Sequence, residues 1–223
     1  MKRIISILVF AAITFPVFAQ SDAQDLSEPS KNEMIRIINR MNTLTNLAEP
    51  YGQLSGQFKR IATSEPQSWT PRYFQAYCLT MQAFYSSDTT RIDSILTASN
   101  NAIDVERSYQ VLHMDEIYII RALNQCIWLR KNPSIRFKNA SATITKLFSQ
   151  IDKLNPTNPR AAFVKAYFKF VTPDNLGGGK KMAVKGFKDA GSLFASFQIP
   201  ESKEILPTWG QKINNEMITY CTN

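Results

Sequence analysis

Five consecutive residues, Gly177-Gly178-Gly179-Lys180-Lys181, carry the strongest chemical signal in the chain. At the start of a helix such a run offers an anion free backbone N–H groups, the positive end of the helix dipole and two ammonium groups. It is not a nucleotide P-loop. Asp174 stands where the first glycine belongs, and Met182 follows the lysines in place of the Ser or Thr that would hold magnesium. The competing reading, which we prefer, is structural: three glycines allow a tight turn of positive φ between antiparallel helices.

A second candidate is a stripe. Arg160, Phe163, Tyr167 and Phe170 fall at i, i+3, i+7 and i+10, on one helical face, and Tyr73 with Tyr77 and Ile119 with Leu123 hold equivalent places on two other helices. If those helices line the concave side of a helical array, the eight residues form a candidate groove for a peptide or glycan. They also read as core, the preferred reading, because an array this short can fold its ends over its own concave face. His113 has no recognisable Ser, Cys or Asp partner in the sequence, so a catalytic triad is not indicated, and no enzyme activity is expected. Cys78, Cys126 and Cys221 are odd in number and widely spaced, with no Cys-x-x-Cys, so neither a disulfide framework nor a metal site is expected, and no cofactor is implied. Cys78 lies two residues past Ala76 and Cys126 four past Ala122, offsets that turn the two sulfurs to opposite sides of their helices and predict free thiols.

The elements that would position these groups are helices. Ser30 and Glu33 read as a capping box ahead of Met34, Ile35, Ile37, Ile38, Met41 and Leu44, predicting a first helix over about 31–47, interrupted by Pro50. Leu54, Phe58 and Ile61 then recur in spacing as Ile144, Phe148 and Ile151 and as Ala183, Phe187 and Ala190, which marks the second helices of three hairpins. Between them, the segment 90–104 breaks the series, since Ile92, Leu96 and Ile103 do not fit it. An independent pentad, Tyr73 to Tyr77, Ile119 to Leu123 and Phe163 to Tyr167, marks the first helices. Its alanines, Ala76, Ala122 and Ala166, lie 46 and then 44 residues apart, a period of stacked hairpins that cannot bury their apolar faces alone. The helix around 117–129 is apolar on almost every side and should be the most buried. After the last hairpin, Trp209, Ile213 and Met217 predict a helix that caps the stack.

Residues 1–19 read as a signal peptide cleaved after Ala19: Lys2 and Arg3 precede an uncharged run, Ile4 to Phe18, too short for a comfortable membrane span. Residues 20–29 read as a disordered mature N-terminus and 30–223 as one repeat domain. Removing Lys2 and Arg3 lowers the formal charge from +8 to +6. In an exported protein that balance concerns solubility or anionic surfaces rather than nucleic acid.

Several of these residues resemble a family of exported tetratricopeptide-like repeat proteins from Bacteroidetes: Asn158-Pro159-Arg160 opening a helix, Thr172-Pro173 before the triple glycine, Trp69-Thr70-Pro71, Asn132-Pro133 with Arg136, and Pro207-Thr208-Trp209-Gly210 near a C-terminal cysteine. The resemblance covers roughly 57–221. It implies an all-α, tetratricopeptide-like α-solenoid of about four hairpins plus a C-terminal capping helix, although the period is near 45 rather than 34. In the same phylum, Asp88-Thr89-Thr90 and Asp93-Ser94-Ile95 resemble a short acceptor motif for O-glycosylation. The expected function is a periplasmic or secreted, non-catalytic scaffold of the cell envelope that binds another protein or peptide, with no stable membrane insertion after cleavage. The alternatives are a binder of small anionic ligands or glycans at Gly177–Lys181, and a structural subunit of an envelope assembly.

Overall fold

The computed structural model describes residues 26–104, 113–197 and 205–223. The expected signal peptide, its cleavage site and the beginning of the mature chain lie outside these residues. Among the described residues the chain is helical throughout, with no strand: α1 (Glu28–Asn42), α2 (Ala48–Ser64), α3 (Trp69–Tyr85), α4 (Ile92–Ala102), α5 (Met114–Lys131), α6 (Pro133–Leu154), α7 (Pro159–Val171), a 3-10 turn (Asp174–Leu176), α8 (Lys180–Ser196) and α9 (Gln211–Thr222). The helices pair as stacked hairpins, α1 with α2, α3 with α4, α5 with α6 and α7 with α8, and α9 lies against α8. The first helices α3, α5 and α7 form a continuous row, with α5 packed between the other two.

Spacing explains most of this packing. Leu54, Phe58 and Ile61 on α2 and Ala183, Phe187 and Ala190 on α8 are buried, as the series i, i+4, i+7 requires. On α4 the same offsets are occupied by Ile92, Leu96 and Ser99, all buried. The pattern was hidden by a serine in the third place. On α6 the ring of Phe148 stays half-buried, packed edge-on against Phe168 at 6.1 Å, and Leu147 fills the core beside Ile144 and Ile151.

Three boundaries differ from those read in the sequence. α1 runs Glu28–Asn42 rather than over about 31–47, with Pro29 in its first turn, where the missing N–H costs nothing. Ser27 rather than Ser30 is its N-cap, and Glu33 bonds Arg36 instead of closing a capping box. Leu26 is already buried. Pro50 does not interrupt a helix; it sits in the first turn of α2. Trp209 precedes α9 instead of belonging to it, because Gly210, at φ 118°, turns the chain just before the helix starts.

α5 is the central element. Eleven of its residues are buried, among them Asp115, Glu116 and Asn124. Three polar groups inside one helix demand partners. Asn124 finds them in Thr80 of α3 and Ser99 and Asn100 of α4: its Oδ1 accepts from Thr80 at 2.7 Å, and its Nδ2 donates to Ser99 at 3.0 Å and to Asn100 Oδ1 at 2.9 Å. This network fixes the register of three helices.

Candidate functional site

Arg160 enters α7 in its first turn, held there by Asn158, whose side chain caps the helix by accepting from the Arg160 N–H at 2.9 Å. The guanidinium reaches across to Glu116 of α5. Nε lies 2.9 and 3.0 Å from its two oxygens and Nη2 2.5 Å from Oε1, and both side chains are only 4% exposed. Burial works against the charge on Arg160, but the Glu116 carboxylate outweighs it and holds the guanidinium above its ordinary value. Glu116 also accepts from Asn158 at 2.6 Å and from the Tyr73 hydroxyl at 3.0 Å. Trp209 donates its indole N–H to Tyr73 at 2.7 Å, stacks on Tyr77 at 4.6 Å and meets Phe163 edge-on at 6.5 Å.

That arrangement decides where the aromatic stripe lies. Tyr73, Tyr77, Ile119, Leu123, Arg160, Phe163 and Tyr167 are each no more than 4% exposed, and Phe170 is half-buried between Tyr167 and Tyr220. The eight residues do come together on the row of first helices, but Trp209 and the chain leading into α9 cover them. In this structure they are core, not the walls of an open groove.

The glycine turn is likewise committed internally. The N–H groups of Gly177, Gly178 and Gly179 donate to the carbonyls of Asp174, Pro173 and Lys169 at 3.0 to 3.1 Å, so all three are spent on the protein. A Cβ on Gly178 would stand 2.1 Å from the Thr172 carbonyl oxygen; Gly177 and Gly179 have φ of 79° and 88°. The Asp174 carboxylate lies against Gly179, and the Lys180 ammonium sits 3.8 Å from the centre of the Tyr220 ring. Of the pair Lys180 and Lys181, both exposed, one is thus already engaged. The turn's own geometry accounts for its glycines without a bound anion.

An open concavity lies elsewhere, on the other side of α5. A cavity of about 520 Å³ lies between α4 and α6, lined by Asn100, Asn101, Asp104, Tyr118, Arg121, Gln125, Thr143, Lys146, Leu147 and Gln150. A neighbouring cavity of about 290 Å³ shares Asn100, Gln125 and Thr143 and reaches Asp93 and Trp128. The two therefore form one trough. Its floor is the stripe Tyr118, Arg121, Gln125, Trp128 at i, i+3, i+7, i+10, about 15 Å long at the helical rise. At 100° per residue this stripe lies opposite Glu116, Ile119 and Leu123. One signal in the sequence pointed to it: the long polar residue at the third place of the repeated pentad is Arg121 here, and Gln125 follows it by one turn.

The walls of the trough are tied in place. Arg136 of α6 donates to both oxygens of Asp93 on α4, at 2.9 and 3.1 Å, and its guanidinium lies 4.4 Å from the centre of the Trp128 ring. Hydrogen bonding from Arg136 holds the Asp93 carboxyl below the ordinary carboxylate range. Asn100 is oriented by the half-buried bond its Oδ1 accepts from Asn124. Arg121 faces Asp104 at 3.5 Å. His113 lies outside the trough, its ring 5.4 Å from that of Trp69, and no group of metal-ligating side chains occurs among the described residues.

No family model matches the chain, and no curated protein matches it. Among solved structures the chain is similar to the HusA haemophore from Porphyromonas gingivalis. The TM-score is 0.73 at 24% sequence identity, over 88% of this chain and 95% of that one. At that identity the likeness is one of fold: an all-α stack of helical hairpins.

Proposed function

We propose that this chain is an exported, non-catalytic binding protein of the tetratricopeptide-like type its sequence resembles, and that it carries a planar, anionic cargo of the haem class in the trough over α5. The observation that carries the reading is the trough itself. Its larger cavity, about 520 Å³, has the ring of Tyr118 on the floor, Arg121 beside it and Lys146 on the α6 wall. Tyr118 supplies a flat aromatic face, and Arg121 and Lys146 supply positive charge for carboxylates such as propionates. Haem enters here as cargo, suggested by what the structurally similar protein is named for. The described residues lining the trough include no His, Cys or Met. Recognition therefore leans on the rings and cations, and a metal-free porphyrin should bind nearly as well as haemin.

Titration of the chain with haemin and with metal-free protoporphyrin, followed by Soret absorbance and by the part of the tryptophan quenching that Trp128→Phe removes, tests this. Saturable binding of both is expected, weakened about tenfold by the double substitution Arg121→Ala, Lys146→Ala, the loss of two charge-assisted contacts. Absence of any spectral response to either porphyrin would rule the cargo out. A second reading, a scaffold for a protein partner, is favoured by the continuation of the trough into the smaller cavity: an extended peptide would follow it from Tyr118 to Trp128. Capture of a peptide whose binding is abolished by Trp128→Ala, with no porphyrin response, would select it.

A further inference from the structure

We propose that the end of the α7–α8 hairpin is a docking tip for an anionic lipid surface. It rests on residues separate from the trough. Seven large apolar side chains are exposed among the described residues, and three of them are here: Leu176 in the 3-10 turn at 50%, Met182 in the first turn of α8 at 54% and Tyr220 of α9 at 54%. Single exposed apolar residues need no explanation, but three at one end of the helical stack, with lysines among them, mark an interaction surface. The lysines are Lys169, Lys180 and Lys181: the Lys169 carbonyl accepts the Gly179 N–H at 3.1 Å, which brings that end of α7 beside the start of α8, and Lys180 rests over Tyr220. Asp174 is the acidic group set against them, while Lys185, one turn further along α8, is paired with Asp189 at 2.7 Å.

The partner follows from chemistry and charge. Aromatic and aliphatic side chains interleaved with lysines suit the boundary between headgroups and acyl chains, where rings and methyl groups enter the apolar layer and ammonium groups stay with phosphates. The charge distribution points the same way. Residues 131–223, the part of the chain that includes this tip, carry 14 Lys and Arg against 6 Asp and Glu. The glycine turn holds the tip stiff through three backbone hydrogen bonds, so presenting it to a surface needs no prior ordering.

The test uses vesicles of phosphatidylglycerol mixed with phosphatidylcholine, and of phosphatidylcholine alone, in co-sedimentation with the chain. Binding to the anionic vesicles only is expected, falling as salt rises. Lys169→Glu with Lys181→Glu should reduce it about tenfold or more, each lysine near such a surface being worth about fivefold. Leu176→Ser with Met182→Ser should reduce it independently, whereas Lys59→Glu with Arg60→Glu on α2 should leave it intact. These positions are exposed, and an unchanged far-UV spectrum confirms the fold. A polarity-sensitive dye on Cys221, next to Tyr220, should shift to the blue with anionic vesicles. No binding, equal binding to both vesicle types, or binding indifferent to the tip variants would overturn the proposal. So would a tip that captures an acidic protein while ignoring lipid.

Discussion

Glu116 shows how one residue can hold a concave face shut. Its carboxylate is buried, doubly bonded by Arg160 and further bonded by Asn158 and Tyr73. A buried ion pair contributes little net stability against its desolvation, yet removing one member leaves an uncompensated charge. Arg160→Ala is therefore expected to destabilise by about 3–5 kcal/mol in chemical denaturation. Adding Glu116→Gln to Arg160→Leu should recover part of that loss, since no charge is then left inside. Equal midpoints for Arg160→Ala and the wild type would mean that water reaches the pair.

At the scale of elements, the α7–α8 hairpin is governed by a crossing of small residues. A Cβ added to Gly186 would stand 3.0 Å from the Cβ of Ala166, and Ala166 itself is only 4% exposed. The third alanine of the pentad is small because the partner helix passes directly over it. Ala166→Leu should overpack this crossing and cost about 1–3 kcal/mol, read as a lower thermal midpoint. An unchanged midpoint would mean that α8 can move away freely. α5 follows a different logic: it is buried on most sides apart from the trough stripe, and polar bonds of Asn124 with Thr80 and of Asp115 with Asn155 and Asn158 tie it to α3 and to the ends of α6 and α7.

Across the whole molecule, the three cysteines report on the packing of distant helices. Cys78 on α3 faces Met41 of α1, sulfur to sulfur at 3.8 Å, and Cys126 is fully buried on α5. Burial pushes both thiols well up, and raises Cys221 on α9 as well, although that side chain is only partly covered. None is paired. A thiol reagent at pH 8 should accordingly modify Cys221 alone in the native chain and all three on unfolding, because thiolate, not thiol, reacts. Rapid reaction of Cys78 or Cys126 in the folded state would show that α1 or the centre of the stack opens.

Periodicity alone determined that this is an all-α stack of hairpins. The i, i+4, i+7 series and the pentads at 46 and 44 residues are properties of single helices, and single helices are written locally. Even the degenerate α4 obeyed the series once Ser99 is counted, its hydroxyl satisfied by Thr80 and Asn124. The interior position of the aromatic stripe and the internal commitment of the glycine turn were among the sequence's own alternatives. Choosing between them took the tertiary structure, because Trp209 meets Tyr73 across 136 residues of chain and no local pattern records such a contact. The trough was decided the same way. Tyr118, Arg121, Gln125 and Trp128 form a legible stripe, but whether a stripe becomes core or cleft depends on how far apart α4 and α6 stand. That spacing is set by long-range ties such as Asp93 to Arg136.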